Sequence, residues 1–292
     1  MRKPVSRSRQ VRYWFEWALV RVAFWLFRAI GRRRSLAFGS WIGRKIGPKL
    51  SAHKTAVENI RLALPELDPL EQVGVVDRMW RNLGASAAEL PFVGDENDAS
   101  VEVVGKEHLD AYVKSGKPGI FVTAHFGPWE QTSLASYYIK KKPCVVYRPA
   151  NNPMVEAFFQ KERAGSGYNF VPKGKSGARA ILKTLKENGS VVLLNDQKQN
   201  NGLPIPFFGR DAMTATAIAD FACRQDLAVY PLRAERLEDG KTRLTIYAPM
   251  YAETSDDRQK DVIQFLTRIN VMYEGWIRER PDHWFWVHNR WS

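Results

Sequence analysis

The chain has 292 residues, of which 45% are hydrophobic, so it is long and apolar enough to bury one large core or two small ones. Its 44 lysines and arginines exceed its 31 acidic residues. The resulting formal net charge of +13 predicts anionic partners, such as nucleic acid, a membrane surface, a phosphorylated lipid or an acidic protein. The two cysteines, Cys144 and Cys223, exclude a disulfide framework, and both are expected to be buried, unreactive thiols.

The segment from Tyr13 to Ile30 is aromatic and apolar, and we expect it to form a membrane-associated helix. At about 1.5 Å per residue its length is ~27 Å, just short of the hydrocarbon core of a bilayer. It also contains Glu16, Arg21 and Arg28, each of which costs roughly 2.5 to 3.5 kcal/mol near the bilayer centre. We therefore predict that residues 1–34 form an anchor in the plane of the membrane surface, with a tilted single span as the alternative.

Two further features of this segment support an interfacial helix. An apolar stripe runs along one side of it and consists of Phe15, Ala18, Leu19, Val22, Leu26 and Ala29. Basic residues flank it on both sides, namely Arg2, Lys3, Arg7, Arg9, Arg12, Arg32, Arg33 and Arg34. Because positive flanks remain cytoplasmic, the anchor is expected on the cytoplasmic leaflet.

Residues 35–95 are predicted to form a helical subdomain. Gly47-Pro48, Pro65 and Pro69 interrupt the helical pattern. After Pro69, apolar residues recur three and four positions apart, which is typical of an amphipathic helix; they are Val73, Val76, Trp80, Leu83, Ala87 and Leu90.

Residues 96–292 are predicted to form an α/β domain with a largely parallel central sheet flanked by helices, because short apolar runs alternate with amphipathic stretches. The predicted strands are 119–123, 143–147, 190–195, 227–233 and 241–248. The predicted helices are 129–139, 153–163, 176–188, 212–224 and 257–279. The sequence contains no glycine-rich nucleotide-binding motif, and no other motif in it indicates a cofactor.

His125 follows the apolar strand 119–123, and Pro128 then suits the first turn of a helix that also contains Glu130. In α/β sheets, ligands bind at the carboxyl ends of the strands, which is where His125 is expected. The pair is predicted to act as a general base and the carboxylate that orients it.

The spacing of this pair alone is weak evidence, because His53 and Glu58 have the same offset of five residues. That second pair is predicted to lie within one continuous helix, where an offset of five places the side chains about 140° apart. We therefore interpret His53 and Glu58 as structural or solvent-facing.

Other candidate residues also follow predicted strands. Arg148 ends the strand from 143 and could bind a phosphate or stabilise a developing negative charge, although a surface salt bridge is equally compatible with its position. Asp196 and Gln197 end the strand from 190. The apolar segment 202–209 is predicted to be a loop without a helix or strand, and it suits either an acyl channel or a plug in the core.

These residues together resemble the lauroyl/myristoyl acyltransferases of lipid A biosynthesis, which are part of the lysophospholipid acyltransferase superfamily. The resemblance covers most of the chain. It rests on His125-Phe126-Gly127-x-Trp129-Glu130, Tyr147-Arg148-Pro149 with Asn152-Pro153, Asp196-Gln197, Phe207-Phe208-Gly209 and the segment Trp284-Phe285-Trp286-Val287-His288-Asn289-Arg290-Trp291.

The resemblance implies that His125 and Glu130 are the catalytic pair of an enzyme at the cytoplasmic face of the cell inner membrane. The implied donor is a thioester of acyl carrier protein or CoA, and the implied acceptor is a hydroxyl of a lipid A precursor, an anionic glycolipid. No cofactor and no metal are expected. Substrate binding is assigned to Arg148, Asn152, Asp196, Gln197, Phe207 and Phe208.

The sequence departs from the superfamily pattern at three points. Ala124 stands where the glycerolipid branch commonly has Asn, Pro128 stands where Asn is frequent in the lipid A branch, and the Pro-Glu-Gly motif of glycerolipid acyltransferases does not occur. Acylation of a phosphatidylinositol mannoside and a non-catalytic membrane-associated scaffold therefore stay open as alternatives. A nucleic-acid binder is disfavoured, because the basic residues are scattered and no recognition motif is present.

Overall fold

The computed structural model describes residues 6–94, 100–139, 142–164 and 167–291. The predicted domain boundary at residues 95 and 96 lies outside these ranges, as do Arg2 and Lys3. The α-helices are α1 (Arg7–Ile30), α2 (Arg32–Ile46), α3 (Ala52–Ala63), α4 (Pro69–Glu89), α5 (Lys106–Ser115), α6 (Pro153–Arg163), α7 (Lys175–Lys186), α8 (Ala217–Gln225) and α9 (Arg258–Glu279). The strands are β1 (Val101–Val104), β2 (Gly119–Thr123), β3 (Cys144–Tyr147), β4 (Asn169–Pro172), β5 (Ser190–Leu194), β6 (Leu203–Phe207), β7 (Arg210–Thr214), β8 (Ala228–Arg236) and β9 (Thr242–Ile246).

Seven of these strands form a central sheet in the order β1-β9-β8-β2-β5-β3-β4. Strands β8, β2, β5, β3 and β4 run parallel, whereas β9 is antiparallel to β8 and parallel to β1. The carboxyl ends of the five parallel strands therefore meet at one edge of the sheet. The prediction of a mostly parallel sheet within a mixed α/β fold is confirmed.

Strand β2 shows how the sheet is buried on both faces. Successive side chains of a strand point to opposite faces, so Ile120 and Val122 pack with the helices of the larger core, while Phe121 packs on the other side. There its ring lies 5.2 Å from the rings of both Tyr112 and Tyr230. This two-sided burial explains the continuous apolar run in the sequence.

The N-terminal helices α1 and α2 are separated only by Gly31, which adopts a positive φ of +80° that favours glycine. Helix α1 lies against α6, where the ring of Phe24 contacts that of Phe158 edge to face at 5.0 Å. The Nδ2 group of Asn152 donates hydrogen bonds to the backbone oxygen of Tyr13 (2.8 Å) and to Glu16 Oε2 (2.9 Å). The anchor segment is thus joined to the α/β region by specific contacts.

Asn152 also caps α6, because its Oδ1 accepts hydrogen bonds from the backbone nitrogens of Met154 (2.9 Å) and Val155 (3.4 Å). Its side chain is buried, and both ends of the amide are used in these contacts. Asn152 therefore caps α6 and joins it to α1, and its assignment to substrate binding stays a prediction.

Within the described part of the chain, none of the helices has the combination of length and apolarity needed to cross a membrane.

The segment 202–214 differs from the prediction. The expected loop 202–209 contains β6, and the expected helix 212–224 begins with part of β7 and becomes helical only in α8. Strands β6 and β7 form a separate antiparallel hairpin, in which Phe208 and Gly209 are the two turn residues and both have positive φ. Pro204 and Pro206 lie on the exposed side of β6, where a missing N–H is tolerated.

Phe207 and Phe208 are consequently a plug in the core, the alternative to an acyl channel. Phe207 is fully buried, and its ring lies 5.5 Å from that of Trp284 and 5.7 Å from that of Trp291. The guanidinium of Arg290 covers the same ring at 5.1 Å. These contacts fasten the hairpin to the C-terminal segment.

The sequence did not predict β1, α5 or β4, which are short. The segment Trp129–Tyr138, predicted as an α-helix, is a 3-10 helix. Cys144 is buried and Cys223 half-buried, and both are free thiols, as expected. Burial raises the pKa of each thiol.

We predict that Phe207→Ala lowers the free energy of unfolding by about 3 to 5 kcal/mol, because it leaves a cavity between the hairpin and the C-terminal aromatic residues. Urea denaturation followed by circular dichroism measures this change. Leu182→Ala, on the exposed side of α7, is the control and should cost less than about 1 kcal/mol. Equal costs for the two variants would contradict the core role of Phe207.

Candidate active site

His125 lies just beyond the carboxyl end of β2, in a loop held by backbone hydrogen bonds. Its nitrogen donates to Asp196 Oδ2 (2.9 Å), and its oxygen accepts from the nitrogen of Phe285 (3.0 Å). Two residues on, Gly127 has a φ of +55°, and an added Cβ would lie 2.4 Å from the backbone oxygen of Ala234. The loop can therefore pass this close to β8 only with glycine at position 127.

The imidazole of His125 is held by Asp196, whose Oδ1 lies 2.8 Å from Nδ1. Trp284 Nε1 donates to the other carboxylate oxygen at 2.9 Å. Asp196 is fully buried, and burial alone would raise its pKa, but His125 and its hydrogen bonds hold the pKa of this carboxyl well below its usual range. An ionised carboxylate can only accept hydrogen bonds, so Nδ1 carries the hydrogen and Nε2 is left as the basic nitrogen.

His125 lines a cavity of about 470 Å³ at the carboxyl edge of the sheet. The side-chain nitrogen of Gln197 lies 3.4 Å from Nε2 of His125. The cavity is lined on its polar side by His125, Glu130, Thr132, Arg148, Arg163, Lys173, Asn195, Gln197, Lys198 and Gln199.

Glu130 lines the same cavity but contacts a different residue from the one predicted. Its Oε1 lies 3.0 Å from Arg163 Nη2, on α6, whereas the ring nitrogens of His125 contact Asp196 and Gln197. The register of the sheet explains the difference. Thr123 pairs with Leu194 across β2 and β5, so His125 and Asp196 each follow that pair by two residues and meet.

A second, apolar cavity of about 210 Å³ adjoins the first and shares Trp129 and Glu130 with it. The rings of Trp129 and Phe285 lie 5.4 Å and 5.9 Å from that of His125. Most of the remaining lining residues are apolar, namely Leu83, Ala87, Leu90, Val93 and Pro128, together with Ser86, Glu89 and Gln131. His125 thus lines the polar cavity and contacts, through its ring, two aromatic residues that line the apolar one.

The other predicted site residues fall into two groups. Arg148 and Gln197 line the polar cavity, and Asp196 lies directly behind His125. Asn152, Phe207 and Phe208 line neither of the two cavities.

His53 and Glu58 do not meet, as their spacing on α3 predicts. Nδ1 of His53 accepts a hydrogen bond from Trp80 Nε1 at 3.1 Å. Glu58 pairs with Arg61 at 2.7 Å.

A buried ionic cluster, which the sequence did not reveal, supports the loop from the side of the N-terminal helices. Ser86 Oγ donates to the backbone oxygen of Gly127 (3.3 Å) and accepts from Arg236 Nη2 (3.2 Å). The same guanidinium pairs with buried Glu89 at 2.6 Å, and Arg32 holds the other oxygen of Glu89. Arg32, expected as part of the basic flank, is therefore occupied in the fold.

Among the described residues, no three His, Cys, Asp or Glu side chains are grouped to hold a metal ion. The family model described as bacterial lipid A biosynthesis acyltransferase matches residues 2–292, nearly the whole chain. The chain therefore belongs to this family, and the protein is an acyltransferase. A search of curated proteins found no match.

His283 supports the loop that contains His125, and its burial predicts how stability depends on pH. The backbone oxygen of His283 accepts a hydrogen bond from the nitrogen of Gly127 (2.8 Å), and its Nε2 contacts Arg280 Nη2 (2.8 Å). Burial, reinforced by Arg280 and two other nearby arginines, lowers the pKa of His283 to about 2. The imidazole is therefore neutral in the folded state, whereas the unfolded chain takes up a proton below about pH 6.5.

The free energy of unfolding should accordingly fall as the pH falls through 6.5. The His283→Gln variant lacks the part of this pH dependence that comes from His283. Between pH 7 and pH 5 the wild type should lose about 2 kcal/mol more free energy of unfolding than the variant. Urea titrations at several pH values measure this difference. His108→Gln, at a partly exposed position on α5, should retain the wild-type slope, and identical slopes for His283→Gln and wild type would refute the account.

Proposed function

We propose that this acyltransferase uses His125 as a general base to move a fatty acyl group from a thioester of acyl carrier protein or CoA to a hydroxyl of a lipid A precursor. The observation that carries the proposal is the orientation of the imidazole. Nδ1 is bound to a buried carboxylate, and the ring lines a polar cavity and contacts Trp129 and Phe285, which line the adjoining apolar cavity. A substrate with a polar head and an acyl chain matches this arrangement.

In the proposed reaction, Nε2 of His125 takes the proton of the acceptor hydroxyl as its oxygen attacks the thioester carbonyl carbon. The tetrahedral intermediate then collapses, the carbon–sulfur bond breaks, and the imidazolium returns the proton to the leaving thiolate. An ester and a free thiol result. Asp196 stabilises the imidazolium while it exists and keeps the ring in the required tautomer.

Glu130 has a second role in this proposal. Its carboxylate fixes Arg163, whose guanidinium lines the polar cavity and lies 4.9 Å from the centre of the Phe170 ring. A guanidinium held in this way can stabilise the negative charge that develops on the carbonyl oxygen. Asp196 thus takes the orienting role that the sequence suggested for Glu130, while Glu130 acts through Arg163.

The apolar cavity is the proposed site of the acyl chain. Its walls come from α4, from the 3-10 helix that follows His125 and from Phe285. This cavity and the polar cavity share Trp129, whose ring lies 5.4 Å from that of His125, so we propose that the carbonyl end of the chain points towards Trp129. The polar cavity is then left for the acceptor.

We also propose that α1 attaches the enzyme to the cytoplasmic face of the inner membrane. The predicted apolar stripe is exposed, with Phe15, Leu19 and Val22 each more than half accessible to solvent. The opposite side of the helix packs on α6 through Phe24, and Glu16 and Arg28 are engaged in contacts with other residues. An exposed apolar face with basic flanks suits an anionic membrane surface.

For the chemical role, His125→Ala should lower turnover by about 10² to 10⁴, while folding persists. His53→Ala, the matched control at the same spacing from a glutamate, should retain activity. Asp196→Asn should approach the loss seen for His125→Ala, and Glu130→Gln should also be impaired because Arg163 loses its partner. Transfer of labelled acyl groups from acyl carrier protein to a lipid A precursor measures all four, after circular dichroism has confirmed folding. Similar activity in His125→Ala and His53→Ala would show that the base is misassigned.

For attachment, we predict that the triple variant Phe15→Ser, Leu19→Ser and Val22→Ser binds vesicles of anionic phospholipid at least about tenfold more weakly than wild type, because the apolar area that enters the interface is lost. Flotation of protein with vesicles gives the bound fraction. Leu182→Ser combined with Val271→Ser removes exposed apolar side chains from α7 and α9 and should leave binding unchanged. Full binding by the triple variant would move the attachment site elsewhere.

A further inference from the structure

Three cationic side chains converge on the wall of the polar cavity. In the register of β3 and β4, Tyr147 pairs with Pro172, so Arg148 and Lys173 are the next residues on two neighbouring strands. The backbone nitrogen of Lys173 donates to the oxygen of Tyr147 at 2.8 Å, which holds these strand ends together. Lys198 follows the adjacent strand β5, and all three side chains line the cavity next to His125.

The charges of these residues are not compensated within the cavity. Glu130 is the only carboxylate among the described lining residues, and it is paired with Arg163. In the described part of the chain, no carboxylate forms an ion pair with Arg148, Lys173 or Lys198. The cavity therefore carries three positive charges beside a base that is neutral in its reactive form.

One of the lysines is held in position by a neutral partner. Lys173 Nζ donates to Gln199 Oε1 at 2.8 Å, and the backbone nitrogen of Gln199 donates to the oxygen of Met213 in β7 at 2.9 Å. A neutral acceptor orients the ammonium group without cancelling its charge. Lys173 is an exposed residue, and this hydrogen bond restrains its ammonium group while leaving the charge available to an anion.

We propose that Arg148, Lys173 and Lys198 form a subsite for a phosphate ester of the substrate. A carboxylate carries one negative charge, whereas a phosphate ester carries up to two negative charges and has three acceptor oxygens. A phosphate therefore matches a planar guanidinium and two ammonium groups better. This inference rests on the proposed function and extends it. The acyl chain then occupies the apolar cavity and the phosphate occupies the polar cavity that His125 lines, so the substrates are held at two points.

Such a phosphate belongs either to the acceptor glycolipid or to the pantetheine arm of the donor. Lys173→Ala and Lys198→Ala should each lower kcat/KM by about tenfold with fully phosphorylated substrates, as expected for one charged hydrogen bond. If the acceptor carries the phosphate, the loss should disappear with a dephosphorylated acceptor. If the donor carries it, the loss should disappear with an acyl-pantetheine that lacks phosphate.

Lys175→Ala is the matched control, since this exposed lysine begins α7 and does not line the cavity. Lys173→Arg, which retains the charge, should recover much of the lost rate. Loss of the same size with every substrate, or no loss relative to Lys175→Ala, would overturn the subsite. Absence of transfer by the wild type with any donor would instead overturn the proposed function.

Binding without turnover gives an independent measurement. In calorimetric titration with inorganic phosphate at low ionic strength, the wild type and Lys175→Ala should bind alike. The double variant Lys173→Ala, Lys198→Ala should bind at least about tenfold more weakly. Equal phosphate binding by the wild type and the double variant would refute the subsite whatever the activity of the enzyme.

Discussion

The arrangement of the active site depends on the buried carboxylate of Asp196. An unpaired charge with no access to solvent is strongly unfavourable, so this side chain requires donors on both oxygens. They come from the main chain and ring of His125 and from the indole of Trp284. One carboxylate thereby joins the end of β5, the loop after β2 and the C-terminal segment. Removal of any of these partners would leave the charge incompletely satisfied.

This constraint also explains why the C-terminal segment is part of the active site. Trp284 contacts Asp196, the backbone of Phe285 holds that of His125, and the Phe285 ring forms part of the apolar cavity. The hairpin of β6 and β7 is packed beneath the same segment through Phe207. Aromatic residues far from the base in sequence therefore support its position through a continuous packed layer.

The charged residues of the N-terminal region have a comparable double role. Glu16 and Arg28 make a transmembrane position costly, and in the folded chain they bind α6. Arg32 binds buried Glu89, which is linked through Arg236 and Ser86 to the loop of His125. The helices proposed to contact the membrane are thus connected to the catalytic loop by polar contacts as well as by packing.

The sequence by itself determined the elements that rest on local periodicity. The run 119–123 is apolar because both faces of β2 are buried, and the helix at 153–163 begins at a proline after an asparagine cap. The position of His125 after a strand followed from the same patterns, as did the divergence of His53 and Glu58. These features depend on residues close together in the chain, where spacing fixes geometry.

Only the tertiary structure determined which side chains meet. Asp196 reaches His125 because β5 lies beside β2, and strand order cannot be read from the spacing of apolar runs. For the same reason the sequence paired His125 with Glu130, its neighbour in the chain, and did not associate Lys173 with Arg148. The segment of Phe207 was predicted to be a loop, whereas pairing with β7 and burial under Trp284 stabilise a strand there. Long-range contacts outweigh local preference where a short segment gains most of its stability from packing.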